Sequence, residues 1–162
     1  PPPPNAATHS PLVLPPPAAP SGSISVWVPA GAATDLSGNA SIGPVSASQP
    51  FDTAAPTVTI SQILDNVPPP DVPISNGGTT DDNSPTLVLT FSELFTVGAQ
   101  VEVFRDGTSI GFATPNDTLG AHFTDMTTPA DGTYAYTARM TDAAGNVGTL
   151  SAAFTITIDT TP

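Results

Sequence analysis

The chain has 162 residues, and its 14 acidic side chains against two basic ones give a formal net charge of −12. This charge argues against binding to nucleic acid or anionic membranes, which need positive charge against phosphate. The sequence has no cysteine, which excludes disulfides, thiolate metal sites and cysteine nucleophiles. No apolar run is long enough to span a bilayer, and the 21 prolines and 13 glycines disfavour long helices.

Residues 1–22 are rich in proline, with one run of prolines at residue 1 and another at residue 15. Such runs favour polyproline II, which has no internal hydrogen bonds, so we expect a linker or leader without a core of its own. The chain starts at Pro1 and shows no signal peptide. We therefore interpret it as an excerpt or a mature product.

Residues 23–54 change to a period of two, because Ile24, Val26 and Val28 alternate with other side chains. A loop and a second extended stretch follow. We predict that this segment is the C-terminal hairpin of an Ig-like repeat. As a lone ribbon of two strands, it is expected to be only marginally stable.

Short runs of alternating apolar residues recur between residues 55 and 162, which is typical of strands with one face buried against a second sheet. The predicted inward positions are Val58 and Ile60; Leu87, Leu89 and Phe91; Val101 and Val103; Ile110 and Phe112; Tyr134, Tyr136, Ala138 and Met140; and Phe154, Ile156 and Ile158. Turn signals such as Asp-Gly separate the runs. The pattern predicts an all-β fold, an Ig-like antiparallel β-sandwich of about seven strands, as one complete domain over residues 55–162.

Two motifs recur with one common spacing. The string TDLSGN at residue 34 resembles TDAAGN at residue 141, and DTAAP at residue 52 resembles DTTP at residue 159. The two members of each pair are separated by the same distance along the chain, so a single repeat relates both pairs. A period of roughly 100 residues is too long for a solenoid turn and favours tandem domains.

The ordered strings AAPTVTI (54), NGGTTDDNSPTL (76), DGTY (131), TDAAGNV (141) and FTITIDTTP (154) carry a resemblance. Together they resemble the bacterial Ig-like repeats of large secreted surface adhesins of the RTX and BapA type. The resemblance implies an Ig-like sandwich, a tandem arrangement, export from a Gram-negative cell, and calcium at or near the junctions between repeats. Tyr134, placed after Asp131 and Gly132, resembles the tyrosine corner of Ig-like folds.

The acidic residues of the predicted sandwich fall mainly in its connections, which in an Ig-like topology collect at two poles. Crowded carboxylates repel unless a cation lies between them, and calcium takes about six to eight oxygen ligands with tolerant geometry. With the resemblance, this charge balance leads us to hypothesise two structural Ca²⁺ sites at junctions between repeats. One set of ligands is Asp52, Asp142 and Asn146, and the other is Asp65, Asp81, Asp82 and Asp159.

The alternative is that these aspartates only support turns, since Asp and Asn side chains accept hydrogen bonds from their own backbone two residues on. We prefer this interpretation for Asp106 and Asp131, each of which precedes a glycine. For Asp52 and Asp142 both interpretations stay open.

We predict that the chain is not an enzyme. His9 falls in the Pro-rich segment and His122 in a strand, and no nucleophile motif marks a serine. Glu102 alternates with inward valines, so it is expected to face solvent rather than form a glycosidase pair with Glu93.

The expected function is that of a structural spacer in an extracellular bacterial adhesin, at the cell surface, supporting cell adhesion or biofilm formation. Its expected partners are neighbouring Ig-like repeats, with any surface glycan or protein bound by other domains. Two alternatives stay open: a glycan- or protein-binding module that uses a loop at residues 92–97, and a filament subunit that donates the hairpin at residues 23–54 to a neighbour.

Overall fold

The computed structural model describes residues 19–35, 37–67 and 70–162. Most of the predicted Pro-rich leader, with His9, lies outside these residues. The chain divides into two compact units, Pro1–Pro50 and Phe51–Pro162. In the part of the chain that is described, the regular elements are all strands, and no helix is long and apolar enough to cross a membrane.

Twelve strands are described along the chain. In order they are β1 (Ser21–Val28), β2 (Val45–Asp52), β3 (Val58–Asp65), β4 (Val72–Ile74), β5 (Gly78–Thr80), β6 (Thr86–Phe91), β7 (Gln100–Arg105), β8 (Thr108–Phe112), β9 (Thr114–Pro115), β10 (Gly120–Thr124), β11 (Gly132–Thr141) and β12 (Phe154–Ile158).

The second unit is built from two sheets of five strands each. Their orders are β4-β3-β6-β10-β9 and β5-β12-β11-β7-β8. All pairings are antiparallel except that of β12 with β5, which is parallel. The predicted all-β, Ig-like sandwich is therefore confirmed, and strands of two or three residues at the sheet edges raise the strand number above the predicted seven.

The core lies between the two sheets, where the alternating apolar positions meet. Its fully or nearly fully buried side chains include Ile63, Leu87, Leu89, Val101, Val103, Tyr136, Ala138, Met140, Ile156 and Ile158. Ile60 and Ile63 are both buried although they are three residues apart, because the register with β6 shifts between Ile60 and Gln62. Such a bulge turns the strand so that the next apolar residue again faces inward.

One inward prediction was wrong. Phe112 is 60% exposed, whereas Ile110 packs against the core. The register of β7 with β8 shifts between Val103 and Phe104, which breaks the alternation on this edge strand.

The first unit contains the two-stranded sheet of β1 with β2. Ile24 is half-buried, whereas Val26, Val28 and Trp27 are exposed, Trp27 at 65%. Serine hydroxyls bridge the strands, with Ser25 donating to Ser48 over 3.2 Å. These contacts bury little apolar surface, which agrees with the expectation of a marginal ribbon.

Candidate functional site

The two ends of the second unit lie at opposite poles of its sandwich. β3 begins at Val58, which pairs with Phe91 at the end of β6, and it ends at Asp65. β12 ends at Ile158 beside Thr80, whose hydroxyl donates a 2.8 Å hydrogen bond to the Asp65 carboxylate. The chain therefore enters at the pole where β3 begins, the leading pole, and leaves at the opposite, trailing pole.

Residues 142–146 at the leading pole form the Asp142 loop, which holds the segment entering the domain. The main-chain N–H of Asn146 donates to Asp142 Oδ1 over 2.8 Å, and its Nδ2 donates to Asp142 Oδ2 over 2.7 Å. The same Nδ2 donates to the main-chain oxygen of Asp52 over 3.2 Å. Hydrogen bonds from one residue thus bring together the three members of the first predicted set.

The first unit contains a second copy of this loop, the Asp35 loop, which is described at residues 35 and 37–39. Asn39 donates from its main-chain N–H to Asp35 Oδ1 and from Nδ2 to Asp35 Oδ2, each over 2.9 Å. An isolated bridge joins Thr34 to Ala40, and the bridge at the equivalent position of the repeat joins Thr141 to Val147. The two loops that the repeated motif relates therefore have the same hydrogen bonds.

The entering segment also passes closely over Gly148. A Cβ atom on Gly148 would lie 2.0 Å from the main-chain oxygen of Pro56, which is too close for any side chain. Gly148 continues the loop bridge by donating from its N–H to the Met140 carbonyl over 2.9 Å. The segment from Asp52 to Pro56 is therefore held at both of its ends against residues 146–148.

Asp52 and Asp159, which the repeat relates, form the same turn at the two poles. Asp52 Oδ1 accepts a hydrogen bond from the N–H of Ala54 over 2.9 Å, and Asp159 Oδ1 accepts from the N–H of Thr161 over 3.2 Å. Each carboxylate thus stabilises a turn at one end of the sandwich.

The second predicted set lies at the trailing pole. Asp65 Oδ1 accepts from the N–H of Val67 over 2.9 Å while its other oxygen accepts from Thr80. The N–H of Asp159 donates to the Thr80 main-chain oxygen over 2.9 Å, which brings Asp159 to the same place. Asp81 is exposed, and its side chain has no hydrogen bond within the described residues.

Asp82 is fully buried at this pole. Its Oδ1 accepts from the main-chain N–H and the hydroxyl of Ser84, over 2.7 and 3.0 Å, and its Oδ2 accepts from the N–H of Asn66 over 3.0 Å. Main-chain and hydroxyl donors therefore offset the cost of burying this carboxylate.

The surroundings at the leading pole shift the pKa values of two carboxyl groups in opposite directions. Burial raises the pKa of Asp142, but the hydrogen bonds from the side chain and main chain of Asn146 outweigh it and hold this pKa below its usual value. Burial, with the negative charges of Asp142 and Asp52, raises the pKa of Glu93. Glu93 is therefore the carboxyl group at this pole whose ionisation is opposed by its surroundings.

The oxygen atoms at both poles have the right chemistry for calcium, but the side chains are arranged as hydrogen-bonded turns. Among the residues that the structure describes, no group of three or more His, Cys, Asp or Glu side chains converges as metal ligands do. Asp142, Asp65 and Asp82 each accept hydrogen bonds on both carboxylate oxygens. Calcium binding at the poles stays a prediction.

Sequence analysis missed a buried polar network on the trailing side of the core. The fully buried Asp125 carboxylate forms a 2.5 Å ion pair with Arg105 Nη1 and accepts a 2.9 Å hydrogen bond from the hydroxyl of Tyr136. Its other oxygen accepts from the N–H and the hydroxyl of Thr127. Burial raises the pKa of Asp125, but the bonds from Thr127, Tyr136 and Arg105 outweigh it and lower this pKa. The alternation did show Tyr136 to be inward, but the sequence around Asp125 gave no signal.

Both arginines form ion pairs and contacts with aromatic rings within the second unit. Arg105 also lies over the Tyr134 ring, with its Cζ 5.1 Å from the centroid, while Arg139 pairs with Glu102 over 2.9 Å and lies over the Phe104 ring. The Tyr134 hydroxyl donates to the main-chain oxygen of Ala130 over 2.8 Å, which confirms the predicted tyrosine corner.

The chain is similar to part of Exoglucanase B from Cellulomonas fimi, with 37% identity over 111 residues. This match spans 68% of the chain and only 8% of that protein. Among solved structures, the fibronectin(III)-like modules of Clostridium thermocellum CbhA match 64% of this chain and 96% of theirs, at 14% identity and a TM-score of 0.42. The family 28 exopolygalacturonase of Yersinia enterocolitica matches 50% of this chain and 19% of its own, at 15% identity and a TM-score of 0.34.

The family match covers nearly all of the sandwich. Residues 54–160 match the family model described as a bacterial Ig-like domain, and they lie within the compact unit Phe51–Pro162. The order of the two sheets and the tyrosine corner agree with this match. The chain belongs to the bacterial Ig-like domain family.

Proposed function

We propose that this chain is a non-catalytic structural spacer within a larger extracellular protein. The observation that carries the proposal is that the first and last strands of the sandwich have their outer ends at opposite poles. Val58 begins β3 at the leading pole, and Ile158 ends β12 at the trailing pole. A domain crossed from pole to pole adds its length to the parent chain instead of folding it back. The eight residues of β3, at about 3.3 Å each, correspond to about 26 Å between the poles.

Two kinds of parent protein are consistent with such a spacer. The tandem repeat supports a bacterial surface adhesin that acts in cell adhesion or biofilm formation, with neighbouring repeats as partners. The similarity to part of Exoglucanase B supports a secreted protein in which the module accompanies a separate catalytic domain. In either parent, the spacer works by holding other domains apart.

A distance measurement tests the spacer proposal directly. The chain contains no cysteine, so Cys pairs introduced at the exposed residues Ala55 and Pro162 can carry spin labels without background labelling. We expect a narrow distance distribution that is clearly longer than that of a control pair at Ala55 and Ala144, which both lie at the leading pole. A distance across the domain no longer than the control distance would refute the proposal.

Calcium at the poles is the second part of the proposal. It is supported by the net charge and by the oxygen atoms that gather at each pole. We expect the melting temperature to be higher in calcium than in a chelator, and Asp81→Asn to reduce this difference without disturbing a turn, because the Asp81 side chain makes no hydrogen bond in the described residues. Asp106→Asn, in a turn outside both sets, serves as the control. An equal melting temperature in calcium and chelator would refute this part.

A second candidate function is binding of a glycan or protein through the loop at residues 92–97. The observation that favours it is the exposure of two apolar side chains, Leu94 at 59% and Val97 at 100%, while Phe95 anchors the loop against Phe91 with ring centroids 5.8 Å apart. Binding on a glycan array or in a pull-down that Leu94→Ser abolishes, and Met126→Ser at a distant exposed site does not, would support this function.

Assembly into filaments by strand donation also stays a prediction. Within the described residues the β1–β2 sheet has two strands, so further pairing would bury main-chain groups on its edges. Sedimentation over a range of concentrations tests it, and a single monomeric species throughout would argue against it.

A further inference from the structure

An open groove lies beside the Asp35 loop in the first unit. Its volume is about 410 Å³, and it is lined by Ala33, Thr34, Asp35, Asn39, Ala40, Ser41 and Ile42. The family match begins at residue 54, so this groove is outside the matched domain.

The second unit shows what the same surface holds in the next copy of the repeat. There the residues equivalent to Asn39 and Ser41 are Asn146 and Gly148, and the segment from Asp52 to Pro56 runs along them. One N–H of the Asn146 side-chain amide donates to Asp142 Oδ2, and the other donates to the Asp52 main-chain oxygen. The Asp142 loop is therefore a binding site for an extended Asp-Thr-x-x-Pro segment, and that segment occupies it.

The Asp35 loop has the same donor without the same acceptor. An asparagine amide carries two N–H donors. Asn39 gives one to Asp35 Oδ2, and the other has no acceptor among the described residues. Main-chain hydrogen bonds also hold this loop. The Asp35 N–H donates to the main-chain oxygen of Asn39, and the Gly38 N–H donates to the main-chain oxygen of Asp35, each over 3.0 Å.

A related segment is present in this chain at Asp159–Pro162, which reads Asp-Thr-Thr-Pro and has one residue fewer between threonine and proline than Asp52–Pro56. It is exposed, and the Asp159 side chain already forms the turn that Asp52 forms in the occupied site. The Thr160 and Thr161 hydroxyls donate to the Asp131 carboxylate, which holds the segment to its own domain without using the Asp159 main-chain oxygen. The Asp159 main-chain oxygen accepts no hydrogen bond within the described residues, whereas the equivalent oxygen of Asp52 is taken by Asn146.

From these observations we propose that the groove beside the Asp35 loop binds the segment Asp159–Pro162 of a second copy of this chain, with Asn39 Nδ2 donating to the Asp159 main-chain oxygen. The contact joins two different surfaces, so copies would associate head to tail. Two differences shape the contact. Ser41 stands where Gly148 stands in the occupied site, and the bound segment has one residue fewer before its proline, so the segment lies further out, in the open volume of the groove.

Titration of the isotope-labelled chain with a peptide of residues 157–162, TIDTTP, tests this proposal by NMR. We expect saturable shifts of the amide signals of Ala33, Asn39 and Ser41, and none with the scrambled peptide TTPTID. Asn39→Ala is expected to weaken binding about tenfold through the loss of one hydrogen bond, and Asn146→Ala, the matched change in the occupied loop, to leave it unchanged.

A second variant distinguishes loss of the binding surface from local unfolding of the Asp35 loop. Ala40→Leu fills the groove without removing a loop hydrogen bond, and it is expected to block the peptide while the Asp35 and Gly38 amide signals stay in place. Absence of saturable shifts, or equal affinity for Asn39→Ala and the parent chain, would overturn the proposal.

A concentration series without added peptide tests whether a second copy of the chain supplies the bound segment. The amide signals of residues 33–41 are expected to move as the chain concentration rises, and to stay constant in Asn39→Ala. If the peptide binds while these signals are independent of chain concentration, a second copy is overturned as the occupant. Neither result depends on the distance between the poles, so the spacer proposal is tested separately.

Discussion

The hydroxyl of Tyr136 donates a 2.9 Å hydrogen bond to the carboxylate of Asp125, and both side chains are fully buried. The ion pair of Asp125 with Arg105 extends this contact to the surface, because the Arg105 side chain is 20% exposed. One buried charge thus links β7, β11 and the connection after β10. These partners explain how the Asp125 charge is accommodated beside the apolar core.

Loss of the Asp125 charge is expected to destabilise the fold strongly. Asp125→Asn leaves Arg105 without its partner and disturbs the bonds from Tyr136 and Thr127, so we expect a loss of about 2–4 kcal/mol in the free energy of unfolding. Urea denaturation measures this loss. Glu102→Gln breaks the more exposed pair with Arg139 and is the control, with an expected loss below about 1 kcal/mol. Equal losses in the two variants would contradict the prediction.

The two tyrosines of β11 provide a second comparison. Tyr136→Phe removes a donor from a buried carboxylate, with an expected loss of about 1.5–3 kcal/mol. Tyr134→Phe removes only the bond to the Ala130 oxygen, with an expected loss of about 1 kcal/mol. The prediction fails if thermal or urea unfolding ranks Tyr134→Phe as the more damaging change.

Acid is expected to destabilise the second unit. Hydrogen bonds from Thr160 and Thr161 lower the pKa of Asp131. The pKa values of Asp125 and Asp142 are likewise held below their usual range in the folded state. A lowered pKa stabilises the fold above the unfolded value of about 3.9, and that stability is lost as the pH falls through the folded value. We expect the urea midpoint to change little from pH 7 to 5 and to drop below about pH 4. The drop should be smaller in Asp125→Asn, and an identical drop in this variant would show that Asp125 does not contribute.

Glu93 is expected to have the opposite effect on the pH dependence of stability from Asp125, Asp131 and Asp142. Its raised pKa means that ionisation opposes folding, so this contribution to stability declines as the pH rises from about 4.5 through the folded value. Glu93→Gln should therefore stabilise the chain slightly at pH 7, by less than about 0.5 kcal/mol, since the group is partly exposed. The gain should vanish at pH 3, where both side chains are neutral; a gain that is independent of pH would exclude charge as its cause.

Gly148→Ala is expected to disturb the segment entering the domain. The added Cβ would meet the Pro56 main-chain oxygen at 2.0 Å, so the segment must move, and we expect a loss of about 1–3 kcal/mol. Gly107→Ala is the control, because Gly107 has a φ of +79° with open space around it, and only the strain of a left-handed residue of about 1 kcal/mol applies. Hydrogen exchange of the Ala54 amide should quicken in Gly148→Ala alone; unchanged exchange there would contradict the prediction.

The sequence was sufficient for the features that depend on local pattern. Alternation of apolar residues identified most of the core, from Val58 to Ile158, because side chains on a strand point to opposite faces in turn. The common spacing of the two repeated motifs related the Asp35 and Asp142 loops, and their hydrogen bonds agree one by one. The Asp-Gly-Thr-Tyr string predicted the tyrosine corner for the same reason, since the contact of Tyr134 with Ala130 is local in the chain.

Other features were decided only by the tertiary structure, because they join residues far apart in the chain. Nothing local to Asp125 indicates that it would be buried against Arg105 and Tyr136, which come from two different strands. The bulges that return Ile63 to the core and expose Phe112 depend on the partner strands β6 and β7. The close passage of Pro56 over Gly148, and the groove left open beside Asn39, likewise follow from packing that no local pattern encodes.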